Sequence, residues 1–136
     1  MHSQPRFLLA ISTLACLAVS GCGGQTSSSS SCQILAINVS PATATVDHAA
    51  APPANTQHFD AFIAKAPPGC AFFTGNVFDA VWSVSDPVNV SISNAQDATR
   101  GTATCKAATA GAVTVTATKS QSGGPTVTNT ASLTCN

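Results

Sequence analysis

Short segments in which apolar and polar residues alternate fill the chain from residue 32 onwards, and turn-forming residues separate them. The alternation is strict in residues 112–118, where Val113, Val115 and Ala117 alternate with threonines. Successive side chains of a strand point to opposite faces, so the pattern predicts strands buried on one face. Outside the first 20 residues, apolar residues do not recur at helical spacing over three turns, and we expect an all-β domain. The first predicted strand is residues 34–39, interrupted at Ser40-Pro41 and resumed in residues 44–46. The others are residues 56–64, 78–85, 88–92, 101–106, 112–118 and 125–134.

The chain has one tryptophan and no tyrosine, so Trp82 is the largest candidate for the core. Alternation along residues 78–85 places Trp82 on the same face as Phe78, Ala80 and Val84. We therefore predict that Trp82 is the buried centre of the domain. Its expected facing partners are Phe59, Ala61, Val113 and Val115.

Residues 1–21 have the features of an export signal. Arg6 is followed by an apolar run, residues 7–19, which is shorter than the roughly 20 residues that cross a membrane. Val19-Ser20-Gly21-Cys22 resembles the lipobox of bacterial lipoproteins, which implies cleavage after Gly21 and a lipid on Cys22. The alternative is an ordinary signal peptide, cleaved nearby, with Cys22 as an incidental thiol. Gly23 after the cysteine favours the outer membrane, by resemblance to enterobacterial lipoproteins.

Residues 22–31 are rich in glycine and serine and predict a flexible tether, in which the stretch 23–31 would span roughly 15–18 Å. The domain organisation is thus a lipoprotein signal peptide in residues 1–21, a tether in residues 22–31 and one folded domain in residues 32–136.

Four stretches of this domain, INVSPATATV (37–46), TQHFDAFI (56–63), VWSVSDPVNVSIS (81–93) and AGAVTVTAT (110–118), occur in a familiar order. Together they resemble the group-2 bacterial immunoglobulin-like domain. The resemblance implies an immunoglobulin-like Greek-key β-sandwich of about seven strands, with Trp82 between the sheets.

Four cysteines lie in the predicted domain, and an even number in an exported domain indicates disulfides with three possible connectivities. No two of them have the close spacing of a zinc site. In a seven-strand Greek-key sandwich, Cys32 and Cys70 belong to one end and Cys105 and Cys135 to the other. A strand of six residues spans roughly 20 Å, whereas bonded cysteines need Cα atoms within about 7 Å. We therefore predict the pairs Cys32–Cys70 and Cys105–Cys135.

Charged residues make up 7% of the chain, with five basic and five acidic side chains. This composition excludes the basic stripe that a nucleic-acid binder needs. All five acidic residues are aspartates, and the chain has neither a G-x-S-x-G motif nor a phosphate-binding glycine loop. We expect no enzymatic activity and no cofactor.

Two sets of residues suggest metal binding. His48 and His58, with Asp47 and Asp60, suggest a two-histidine site or a general base, but the loop between them does not fix their separation, and solvated side chains are the favoured interpretation. The second set suggests calcium but lacks the spacing of a calcium loop, so turn formation is favoured. It comprises Asp79, Asp86, Asp97, Asn89 and Asn94.

The connection of residues 65–77 contains the adjacent apolar residues Phe72 and Phe73. They are the candidate binding residues, as an exposed apolar tip that contacts a partner. The alternative, which we favour, is a connection that folds back over Phe62 and covers one end of the core.

These features predict a membrane-anchored, extracytoplasmic, immunoglobulin-like lipoprotein that acts as a non-enzymatic adhesion, envelope-structural or partner-binding module. Its ligand is a protein or a glycan, bound at loops or by strand addition at a sheet edge. The alternative is a carbohydrate-binding or enzyme-accessory lipoprotein, which usually presents exposed tryptophan or tyrosine side chains.

Overall fold

The computed structural model describes residues 32–70 and 75–136, and these residues form an all-β structure, as the sequence pattern predicts. No helix in the described part of the chain is long and apolar enough to cross a membrane. The described strands are β1 (Ala36–Ser40), β2 (Thr43–Val46), β3 (Thr56–His58), β4 (Asp60–Lys65), β5 (Val81–Val84), β6 (Val90–Ile92), β7 (Thr102–Cys105), β8 (Val113–Lys119) and β9 (Val127–Cys135).

Each of two strands of the sandwich has one interruption, which divides it into two shorter strands. The first breaks after Ser40, so that β1 pairs antiparallel with β4 while β2 pairs parallel with β9. The second breaks at Phe59, so that β3 pairs with β7 and β4 pairs with β1. When each interrupted strand is counted once, the described residues form the seven strands that the sequence predicts.

The strands form two layers. One sheet has the order β2-β9-β8-β5. The other layer contains two smaller sheets, β3-β7-β6 and β1-β4, which adjoin because β3 and β4 are separated by one residue. The chain passes from one layer to the other five times: between β1 and β2, β2 and β3, β4 and β5, β5 and β6, and β7 and β8. This is the immunoglobulin-like Greek-key sandwich.

Apolar side chains from both layers form one buried cluster. The alternation of β8 holds, since Val113, Val115 and Ala117 are all buried. Trp82 is 5% exposed, so its predicted place in the core is confirmed. Phe59 and Ala61 enter the same core from the other layer. Val113 and Val115, however, lie on β8 in the sheet of Trp82 itself and do not face it.

Phe78 departs from the prediction, because it is 78% exposed and does not pack beside Trp82. The predicted strand began at residue 78, whereas β5 begins at Val81. In the preceding turn the amide of Ala80 donates to the carbonyl of Val77 at 3.1 Å. Strand alternation therefore does not extend to Phe78, and its side chain points away from the core.

The structure contains both predicted disulfides. Cys32 and Cys70 have Cα atoms 5.6 Å apart, and Cys105 and Cys135 have Cα atoms 5.7 Å apart. Cys105 ends β7 and Cys135 ends β9, and both are 1% exposed. This second bridge therefore joins the two layers through the core.

The connection that leaves β4 returns along the same strand. The amide of Ile63 donates to the carbonyl of Gly75 at 3.1 Å, and that of Val77 donates to the carbonyl of Ala61 at 2.7 Å. Asn76 lies opposite Phe62. The described end of the connection thus lies along β4 beside Phe62.

Candidate functional site

A groove opens beside β3 and β4, at the point where the segment paired with β3 ends and another segment begins to pair with β4. β3 pairs with β7, whose first residue, Thr102, lies opposite His58. Further along, the same edge of β4 is occupied by residues 75–77. The space between these two partners is a groove of about 390 Å³. It is lined by His58, Phe59, Asp60, Ala61, Asn76, Val77, Phe78, Trp82, Gln96, Asp97, Ala98 and Arg100.

Phe59 and Trp82 line the bottom of the groove and pack closely against Gly101, which does not line it; we call these three residues the floor. The amide of Phe59 donates to the carbonyl of Gly101 at 3.0 Å. Gly101 has a φ of +79°, and a Cβ at this position would collide with the carbonyl oxygen of Phe59 and approach the Trp82 ring to 3.1 Å. The left-handed backbone and the close approach both require glycine.

Residues 93–100 connect β6 to β7 and form one wall of the groove. The side-chain oxygen of Asn94 accepts a hydrogen bond from the Trp82 amide at 2.7 Å, and its nitrogen donates to the Trp82 carbonyl at 2.9 Å. β5 is the last strand of its sheet, so Asn94 pairs with backbone groups on the free edge. The wall is thereby fixed to the strand that carries the floor.

Arg100 closes the wall at its end. Its Nε donates to the carbonyl of Ala80 at 3.0 Å, and its Nη1 is buried without a hydrogen-bond partner. The guanidinium therefore joins the wall to the turn that precedes β5. Most of its donor capacity is directed into the protein or shielded from solvent.

His58 lies between a carboxylate and a hydroxyl. Its Nε2 is 3.2 Å from Oδ1 of Asp60, and its Nδ1 is 3.1 Å from Oγ1 of Thr102. This is the order of groups in a catalytic triad. The side chains of His58 and Asp60 are 45% and 51% exposed, however, and Thr102 does not line the groove. The imidazole and the carboxylate are therefore both accessible to solvent beside the groove.

Three aspartates are held in the ionised form by local contacts. The hydrogen bond from Lys119 lowers the pKa of Asp79 below its ordinary range. The hydroxyl of Thr99 donates to Asp97 at 2.6 Å and lowers the pKa of that carboxyl. The side chain of Asn89 does the same to the pKa of Asp86. Asp97 therefore presents a negative charge to the groove at neutral pH.

The residues considered for metal binding are brought together only in pairs, His58 with Asp60 and Asn89 with Asp86. Within residues 32–70 and 75–136, no group of three or more histidine, cysteine or acidic side chains has the arrangement of a metal site. His48 contacts the carbonyl of Asn136, whereas His58 contacts Asp60 and Thr102. Asp86 and Asp97 cap turns, as the favoured interpretation expects, whereas Asp79 forms an ion pair with Lys119.

Of the other predicted site residues, Cys22, Phe72 and Phe73 lie outside the described residues, and their roles remain predictions. Three residues that matter most to the groove were not singled out in these roles from the sequence: Phe78 as an exposed side chain, Asn94 as an edge cap and Gly101 as the floor glycine. A sequence signal exists only for Gly101, because glycine directly before a strand is typical of a positive φ.

No protein-family model matches the chain, and a comparison with curated proteins finds no similar sequence.

Proposed function

We propose that this protein is a non-enzymatic, partner-binding, immunoglobulin-like module held on the bacterial cell envelope by a lipid on Cys22. It acts in adhesion or envelope architecture and contacts its ligand through the groove. The lipobox resemblance and the glycine- and serine-rich tether support the envelope location. Lipid-modified cysteines with two or three acyl chains give stable membrane anchoring, whereas one chain does not.

Phe78 is the observation that carries the binding role. It lines the groove and is 78% exposed, while Phe59 and Trp82 beneath it are buried. A large apolar side chain in this position does not stabilise the fold, but it gains from burial when a ligand covers it. The exposed carboxylates of Asp60 and Asp97 beside it make the same surface polar enough to select a ligand.

The composition of the groove supports binding without catalysis. None of its lining residues carries a hydroxyl, thiol or amine nucleophile. The two carboxylates differ in their partners, since Asp60 contacts His58 while Asp97 accepts from the amide and hydroxyl of Thr99. Both are exposed, so neither is in the water-excluded environment in which a general acid retains its proton.

Lipidation of Cys22 is tested with labelled fatty acid in a bacterial host. We expect the parent protein and the Cys16→Ser control to incorporate the label and to sediment with membranes. Cys22→Ser is expected to incorporate none and to leave the membrane fraction or remain as the uncleaved precursor. Label in the Cys22→Ser protein would contradict the proposed anchor.

The binding role is tested with washed cells of the bacterium that makes the protein. Purified parent protein is incubated with these cells, and the cell-bound fraction is measured after centrifugation. We expect Phe78→Ala to lose most of this binding. Val88→Ala is the matched control, because Val88 is also 78% exposed but does not line the groove. Equal binding by the parent and both variants would exclude the groove as the contact surface.

A further inference from the structure

The groove combines an exposed aromatic ring with hydrogen-bonding groups of several kinds. Among the residues that line the groove, Phe78 is the one large apolar side chain that is strongly exposed. Around it are amides from Asn76 and Gln96, carboxylates from Asp60 and Asp97, and the imidazole of His58. A ligand that fits this surface needs an apolar face and a periphery of hydroxyl or amide groups.

Building on the proposed binding role, we propose that the groove binds a neutral saccharide. A pyranose ring presents C–H groups on one face and hydroxyls around its edge. The face of an aromatic ring carries negative charge density, which attracts the C–H groups, so Phe78 provides the platform. Carboxylate oxygens accept hydrogen bonds from hydroxyls, and amide side chains both donate and accept.

The free hydrogen-bonding capacity of the carboxylates supports this ligand class. A carboxylate has about four lone-pair positions. Asp97 accepts from Thr99 through Oδ1, and Asp60 contacts His58 through Oδ1, so each carboxylate retains acceptor positions for hydroxyl groups. The amide of Gln96 lies on the same wall as Asp97.

The charge of the groove favours a neutral sugar over an acidic one. Arg100 directs its Nε to the carbonyl of Ala80, and its Nη1 is buried, so the guanidinium is poorly placed to meet an anion. Asp60 and Asp97 are exposed at the surface of the groove. A carboxylated sugar would lie close to these two carboxylates, and like charges at short range repel each other.

The size and surroundings of the groove favour a saccharide over a protein surface. Its volume of about 390 Å³ lies at the small end of the range for small-molecule sites. A protein partner of ordinary size buries about 800 Å² on each side. Leu35, Val81 and Val88, the other large apolar side chains that are exposed in the described residues, do not line the groove.

The fluorescence of Trp82 provides a direct test of saccharide binding. Trp82 is the only tryptophan of the chain and lines the groove, and the chain has no tyrosine to contribute to the emission. The full chain with its disulfides intact is kept in a detergent without a sugar headgroup. It is titrated with maltotetraose, cellotetraose, chitotetraose and mannotetraose, and with tetragalacturonic acid as the acidic probe. We expect a saturable change in tryptophan emission with at least one neutral probe and none with the acidic probe.

Three variants separate the groove from the remaining surface. Phe78→Ala is expected to weaken binding of the responding sugar by at least about tenfold, and Asp97→Asn by a smaller factor. Val88→Ala is expected to bind like the parent, and Phe78→Ala and Val88→Ala are expected to keep the parent melting temperature. Unchanged affinity in Phe78→Ala overturns the proposal, as does saturable binding of the acidic probe alone.

The two proposals fail in different ways. If no neutral sugar changes the emission, while cell binding is still lost in Phe78→Ala, then the saccharide proposal is wrong and the binding role of the groove stands. If Phe78→Ala retains full cell binding and no sugar binds, both proposals are wrong.

Discussion

The floor and the rim of the groove lie next to each other but differ in burial. Phe59, Trp82 and Gly101 form the floor, where the two residues with side chains are buried and the third has no room for one. The rim, which we define as Phe78, Asp60, Gln96 and Asp97, is exposed. From this difference we expect folding and the proposed binding to depend on separate residues, so that rim residues can change without loss of the fold.

Trp82→Ala tests this separation with the largest expected effect. Removal of a buried tryptophan leaves a cavity between the layers, and we expect the free energy of unfolding to fall by about 3–5 kcal/mol. Phe78→Ala, an aromatic truncation at the rim, is expected to change it by less than about 0.5 kcal/mol. Chemical denaturation followed by circular dichroism measures both. Comparable losses in the two variants would show that floor and rim are not separate.

Gly101→Ala tests whether the floor requires glycine. The added Cβ collides with a backbone carbonyl and forces a strained positive φ, so we expect a loss of about 2–3 kcal/mol. Gly111→Ala is the control, because a Cβ at Gly111 meets no atom within 4 Å. A parent-like melting temperature in Gly101→Ala would mean that the close approach to Phe59 and Trp82 is not needed.

Asn94 connects the two regions, and its removal is expected to have an intermediate effect. Asn94→Ala deletes both hydrogen bonds to the backbone of Trp82, which we expect to cost about 1–3 kcal/mol. It also uncovers the edge of β5, where a second copy can pair. Size-exclusion chromatography should detect self-association of Asn94→Ala at high concentration. Gln96→Ala, in the same wall, should remain parent-like in both measurements.

Lowering the pH is expected to have the smallest effect on stability. It acts on residues outside the floor, because the floor has no ionisable side chain. The pKa values of Asp79, Asp86 and Asp97 are lowered by folding, so the folded state binds fewer protons than the unfolded state. Their contribution is therefore present at neutral pH and is lost as the pH falls below about 4. Melting temperatures measured from pH 6 to pH 3 should fall only at the acidic end. A rise there would contradict these pKa directions.

The regular parts of this fold are predictable from the sequence, because alternation reports which face of a strand is buried. The pattern in β8 and the burial of Trp82 are examples, and the cysteine pairs follow once the order of strands is known. Phe78 shows the limit, because alternation does not reveal where a strand begins. The pairing of Asn94 with the edge of β5 joins residues twelve positions apart in the chain, and it depends on how a loop folds rather than on local pattern.

The arrangement of the two disulfides also limits how far the domain can lengthen under tension. Cys32 is bonded to Cys70 and Cys105 to Cys135, so covalent paths bypass most of the chain. A force applied across residues 32 and 136 therefore extends only the segment between Cys70 and Cys105. This segment has about 35 residues and reaches about 120 Å when fully drawn out, against roughly 350 Å for the same domain without bridges. Under such a force the opened domain would therefore keep about a third of the reach that it would have without the bridges.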